Sequence, residues 1–147
     1  MSLTRRISLK KFAQKAKAAG KSIGIRINPE CSTQDGHAIY DPCAPGSRLG
    51  TTRAVWNREM TGEWISLLDG LHFHTLCEQD SDDLETTLAA VERSFGDILP
   101  QMKWLNMGGG HHITRNDYDI ARLENVSPMH RINGICVCTL SRVKPLL

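Results

Sequence analysis

The chain has no Cys-x-x-Cys pair, no internal repeat, no low-complexity segment, no excess of one charge and no long apolar run. Each absence closes a class of function. A membrane-crossing helix needs about 20 consecutive apolar residues, and none is present. The first residues lack the basic, apolar and small-residue succession of a secretory signal. The cysteines Cys31, Cys43, Cys77, Cys136 and Cys138 are odd in number and scattered, so a reduced cytoplasmic chain is expected rather than a disulfide framework. The net charge of +2 implies no attraction to nucleic acid or to a membrane. Arg5, Arg6, Lys10, Lys11, Lys15, Lys17, Lys21 and Arg26 do crowd the start. They interleave with apolar residues and so read as the wet face of a helix. The spaced-glycine dinucleotide fingerprint and the phosphate loop with its lysine are also missing.

What is present is ordinary globular material. The 147 residues, 40% hydrophobic and 23% charged, suffice for one domain with a core. Residues 8–19 repeat apolar positions at helical spacing (Leu9, Phe12, Ala13, Ala16, Ala19), with Gly20 placed to stop the helix. A short strand lies within residues 22–27. Residues 30–50 carry three glycines and two prolines and predict a long loop, usually functional or disordered. A short helix is expected at 54–61 and a strand within 66–76. Ser81-Asp82-Asp83 marks a helix start. Leu84, Leu88, Val91, Phe95, Ile98 and Leu99 then recur at helical spacing, before Pro100. Residues 103–107 form a further strand, and Asn116-Asp117 is placed to cap another helix. Strands alternating with helices predict an α/β fold with parallel strands, as a doubly wound sheet or a barrel. In both, ligands sit at the C-terminal ends of the strands.

Two motifs fall at such ends. Gly108, Gly109 and Gly110 follow a strand directly. Glycines there are either a flexible turn or a bare backbone that can cradle a phosphate. His72 and His74 share one face of an earlier strand, because side chains alternate with period 2. Two imidazoles can bind a metal, or one can stack on a flat ring. Phe73 faces the core. With His111 and His112 the histidines also allow a metal-dependent hydrolase. The glycines beside an imidazole point instead to a planar cofactor bearing a phosphate. Arg26 stands on the face opposite Ile23, Ile25 and Ile27, either exposed to water or facing an anion. Nothing local marks Cys43 or Cys77 as a thiolate nucleophile.

Several blocks carry a resemblance. They are Arg26-Ile27-Asn28-Pro29, Tyr40-Asp41-Pro42-Cys43-Ala44-Pro45-Gly46-Ser47-Arg48-Leu49-Gly50, Gly70-Leu71-His72-Phe73-His74-Thr75-Leu76-Cys77-Glu78-Gln79, and residues 106–114. Over residues 20–124 the chain resembles the carboxynorspermidine/carboxyspermidine decarboxylases, pyridoxal-phosphate enzymes of the alanine racemase-like barrel class. The resemblance implies a partial TIM (β/α) barrel over residues 1–124 and decarboxylation of a carboxylated polyamine in spermidine or norspermidine biosynthesis. It implies pyridoxal 5'-phosphate as cofactor, with His74 stacked on its ring, Gly108, Gly109 and Gly110 at its phosphate, and Arg26 on the cofactor side. Asp41 becomes a candidate contact for a cationic amine of the substrate. Thr75 or Cys77 stands where the class has a serine. The family is homodimeric. It also has a C-terminal β-domain and an early-strand lysine that holds the cofactor; neither is matched here. An inactive, loosely packed fragment with open strand edges is therefore expected, as is the rival possibility of a gene remnant.

Residues 125–147 read as an irregular tail. With permitted codons for residues 138–147, a frame two bases later spells Tyr-Leu-Glu-Pro-Gly-Glu-Ala-Ile-Ala. That contains a block the family would show next, so a frameshift between about Leu123 and Cys138 is expected.

Overall fold

The computed structural model describes residues 3–34, 41–110, 112–126 and 136–138; of residues 3–10 and 136–138 it describes the backbone alone. Helix α1 (Leu3–Ala18) leads to β1 (Gly24–Arg26), and α2 (Arg53–Glu59) and α3 (Gly62–Ile65) lead to β2 (Gly70–His72). Helix α4 (Ser81–Phe95) and a 3-10 turn at Leu99–Gln101 precede β3 (Trp104–Asn106), and α5 (Ile120–Val126) precedes β4 (Cys136–Cys138). All pairings are parallel, in the order β1-β2-β3-β4. The expected alternation of helix and strand is what forms.

Helix α4 packs one face into the core. Leu84, Leu88, Val91 and Phe95 are buried against Leu71 and Leu105 in one core cluster. The spacing of these residues on one stripe explains why the helix forms there. Its N-cap is Asp80, one residue before the expected Ser81, and Asp83 Oδ2 accepts from the Asp80 N–H at 3.2 Å. Gly20 adopts a φ of 65° just past α1, as a C-terminal stop requires.

Several expectations are corrected. Phe12 is 59% exposed; of the expected α1 stripe, among the residues whose side chains are described, Ala13 is buried, Ala16 half-buried and Ala19 exposed. Small residues let α1 approach through a narrow alanine seam, which a phenyl ring beside it does not share. Asp119, not Asn116-Asp117, serves α5: its Oδ1 accepts from the Arg122 N–H at 2.8 Å, while Asp117 is paired with Arg115. Helix α3 is too short to show a period. The same reason hid β4, which breaks the expected irregular tail by pairing Cys136 with Trp104 and Cys138 with Asn106. The other residues beyond 126 lie outside the described residues, and the frameshift expectation falls mainly there.

Two rows of residues cross the same face of the sheet. Gly24, Gly70 and Trp104 are in register at the N-terminal ends. A Cβ at Gly24 or Gly70 would overlap the Trp104 ring, so the indole lies across both glycines, with Nε1 donating to Ser22 Oγ at 2.6 Å. Two residues on, Arg26, His72 and Asn106 are in register at the C-terminal ends.

Candidate functional site

The site grows from that second row and the loops beyond it. Arg26 is half-buried, and its Nη2 donates to the His74 carbonyl at 2.7 Å. Its Nε is buried with no partner among the described residues. This contact sets the guanidinium near the His74 ring.

Asn106 organises the turn that follows β3. Its Oδ1 accepts from the Gly108 N–H at 2.8 Å, which fixes that atom as oxygen. His72 Nδ1 lies 3.1 Å from the same oxygen and 3.2 Å from the Asn106 carbonyl, so Nδ1 of His72 must carry a proton. His74 takes the opposite role. The Gly109 N–H donates to its Nδ1 at 3.2 Å, so the proton of that ring sits on Nε2. Burial, then the charge of Arg26, then His72 hold the His74 pKa below the ordinary histidine value. At neutral pH the ring is therefore uncharged, which suits stacking on a flat ligand.

Glycine is required at two positions of the turn. Gly108 has a φ of 77° and Gly110 a φ of 96°, both in the left-handed region. A Cβ at Gly108 would lie 2.7 Å from the Phe73 carbonyl oxygen and 2.8 Å from His74 Nδ1, and one at Gly110 would run into the Leu76 carbonyl. The turn is pressed against the strand end that bears His74. Backbone amides and a neutral ring thus share one corner, with the Gly108 and Gly109 N–H groups held by Asn106 and His74; amides beside an imidazole are the chemistry that a phosphate attached to a flat ring needs. His74, Gly108, Gly109, Gly110 and Arg26 are brought together as the sequence suggested.

Asp41 stands elsewhere on this edge. Asn28, two residues past β1, donates from Nδ2 to the Pro42 carbonyl at 3.1 Å and so ties the loop to the strand end. Asp41 Oδ1 accepts from the Cys43 N–H at 2.7 Å, capping its own turn. Cys43 is half-buried and burial raises its pKa to about 11, which keeps the thiol protonated. Cys31, Cys43 and Cys77 carry free thiols. Thr75 Oγ1 is buried without a partner among the described residues, whereas Cys77 is exposed.

The metal reading finds no support among the described residues. Among the described residues no three His, Cys, Asp or Glu side chains converge as a metal would need. The His72 and His74 ring centroids are 6.4 Å apart, and each Nδ1 is engaged by Asn106 or Gly109. His112 lies 3.8 Å from Glu78 at the surface, and His111 is outside the described residues. Among the described residues no helix is long and apolar enough to cross a membrane.

Sequence reasoning passed over Asn106 and Gln79 as site residues. Gln79 joins three loops: its Nε2 donates to Thr33, its Oε1 accepts from Gln34 and Cys77, and its backbone N–H donates to the Gly110 carbonyl at 3.0 Å. The only signal for either residue was its place beside the His and glycine motifs.

No protein-family model matches the chain. It is 38% identical over 126 residues to the carboxynorspermidine/carboxyspermidine decarboxylase of Campylobacter jejuni, spanning 83% of this chain and 32% of that protein. It is 44% identical over 115 residues to the carboxyaminopropylagmatine decarboxylase of Synechocystis, spanning 78% and 27%. The crystal structure of carboxynorspermidine decarboxylase from Campylobacter jejuni, complexed with norspermidine, matches at a TM-score of 0.69 and 34% identity, over 90% of this chain and 32% of that one. A diaminopimelate decarboxylase structure matches at a TM-score of 0.55 and 18% identity, a likeness of fold. The chain spans about a third of the length of the relatives it matches. It is a partial relative of the carboxynorspermidine/carboxyspermidine decarboxylases, as the motifs around His74 and Gly109 implied.

Proposed function

We propose that this chain is the cofactor-holding portion of a pyridoxal-phosphate-dependent decarboxylase of carboxylated polyamines, and that its parallel sheet is a sector of a (β/α) barrel. The observation that carries the reading is the Gly108-to-Gly110 turn, seated against a neutral His74 at the C-terminal ends of the strands. The names of two relatives support the substrate class, since both describe a carboxylated cationic amine.

In this reading Gly109 and Gly110 offer backbone amides to the phosphate, and Gly108 lets the backbone approach without a Cβ. His74 would lie against the flat ring of the cofactor, and the Gly109 amide that now bonds to its Nδ1 would be offered to the phosphate. Arg26 keeps the His74 carbonyl in place and disfavours protonation of the imidazole. Asp41, on the loop tied to Asn28, supplies negative charge for a substrate amine. When bound, pyridoxal 5'-phosphate supplies the electron sink for the charge left by departing carbon dioxide. No lysine among the 147 residues stands in a motif that would hold the cofactor covalently, so the isolated chain is expected to bind it reversibly. A second subunit and a cytoplasmic setting are part of the same proposal.

Titration of the 147-residue chain with pyridoxal 5'-phosphate tests this. Saturable binding that inorganic phosphate displaces is expected, with no carbon dioxide released from carboxynorspermidine. Binding indifferent to phosphate, or stoichiometric zinc in the purified protein, would remove the reading.

A further inference from the structure

We propose that Gln79 is a positioning residue, whose side-chain amide sets the separation between the His74 ring and the glycine turn. This rests on the cofactor reading above and adds a residue to it.

The amide is saturated. Nε2 donates to the Thr33 carbonyl at 2.5 Å and to Thr33 Oγ1 at 2.8 Å. Oε1 accepts from Gln34 Nε2 at 2.5 Å and from the Cys77 N–H at 3.3 Å. A backbone N–H can only donate, so the Cys77 contact fixes which end of the amide is oxygen. Gln34 in turn donates to the Thr75 carbonyl at 3.3 Å, next to His74. The backbone of the same residue reaches the turn, since the Gln79 N–H donates to the Gly110 carbonyl at 3.0 Å. One residue therefore fastens the loop after β1, the loop after β2 and the turn after β3. Gly108 and Gly110 also pack on the backbone of this segment, but the hydrogen bond nearest the ring is that of Gly109 to Nδ1, which must break when a phosphate arrives. Gln79 is built to hold the spacing when that bond is gone. A glutamate there would keep length and shape, but would set a carboxylate against the Thr33 carbonyl and remove both donors.

Gln79→Ala and Gln79→Glu in the 147-residue chain test the proposal. Amide hydrogen exchange is read at residues 108–110, and affinity is read with pyridoxal 5'-phosphate. The expected result is exchange about tenfold faster at the turn and affinity about tenfold weaker, with the far-UV spectrum of Gln79→Glu kept and a cooperative melt retained. Unchanged exchange at the turn in a folded variant overturns the proposal. Should Gln79→Ala fail to fold, Gln79→Glu carries the comparison. Faster exchange in the variants, with no cofactor uptake by the unaltered chain, would uphold the positioning role and sink the cofactor reading instead.

Discussion

The same face of the same three strands is built in two ways at its two ends. At the N-terminal ends, Gly24, Gly70 and Trp104 form a row in which two missing side chains make room for one indole. Two residues on, Arg26, His72 and Asn106 form a row of polar groups that bond to one another's strands and loops. The first row is filled by one large ring and leaves little for a ligand to do. The second stands where the backbone leaves the sheet, so its amides and carbonyls are no longer all matched by ladder partners. Period-2 alternation puts both rows on one face, and only their distance from the strand ends separates packing from chemistry.

Substitutions can break that contrast. The largest effect is expected at the N-terminal row. Gly70→Ala drives a Cβ into the Trp104 ring and should destabilise the chain by about 1–3 kcal/mol. Urea unfolding followed by tryptophan fluorescence would show it, and an unchanged midpoint would mean that the indole does not lie across the glycines. Gly108→Ala comes next. The residue would have to hold a φ of 77° beside the Phe73 carbonyl, at a cost of about 1–2 kcal/mol. Its main consequence should be lost affinity for pyridoxal 5'-phosphate, a loss that Gly70→Ala, where folded, should not share.

A smaller effect comes from His74. Its folded pKa lies below the ordinary value of about 6.5, so the unfolded chain takes up a proton first as the pH falls. The stability contributed by the neutral ring is complete above that ordinary value and is lost as the pH drops through the lower folded one. Unfolding at pH 7.5 and at pH 5 should show the loss, and His74→Gln should narrow the difference; parallel pH profiles would contradict a His74 ring held neutral by burial and by the Arg26 charge. The smallest effect belongs to neither row. Arg53 and Asp97 form a two-point ion pair at 2.7 and 2.8 Å on the helical side. Asp97→Asn should cost about 0.2–1 kcal/mol, fading with salt, and leave cofactor binding alone.

Much of this was legible before any coordinates. Helix α4 announced itself because Leu84, Leu88, Val91 and Phe95 repeat over several turns and nothing interrupts them. The three strands from Gly24 to Asn106 were placed by short apolar runs and by the glycines around them. The cluster of His74 with residues 108–110 was legible because both motifs directly follow strands that the alternation makes parallel. What stayed hidden has physical reasons. Elements of three or four residues, such as α3 and β4, cannot display a period. The exposure of Phe12 depends on how closely two elements approach, which no local pattern records. Gln79 and Asn106 act through the direction of single amide groups, and an amide's direction is settled by partners far away in the chain.

The central claim is that the glycine turn and the neutral His74 ring together receive a phosphate-bearing flat cofactor. Amide and imidazole nitrogen resonances of the labelled chain, followed during addition of pyridoxal 5'-phosphate, test it most directly. The account predicts that the Gly109 and Gly110 amides and His74 Nδ1 move together and saturate together, with the Trp104 indole unmoved. Saturation with those nitrogens still, or with shifts centred at the Trp104 end of the sheet, would contradict it.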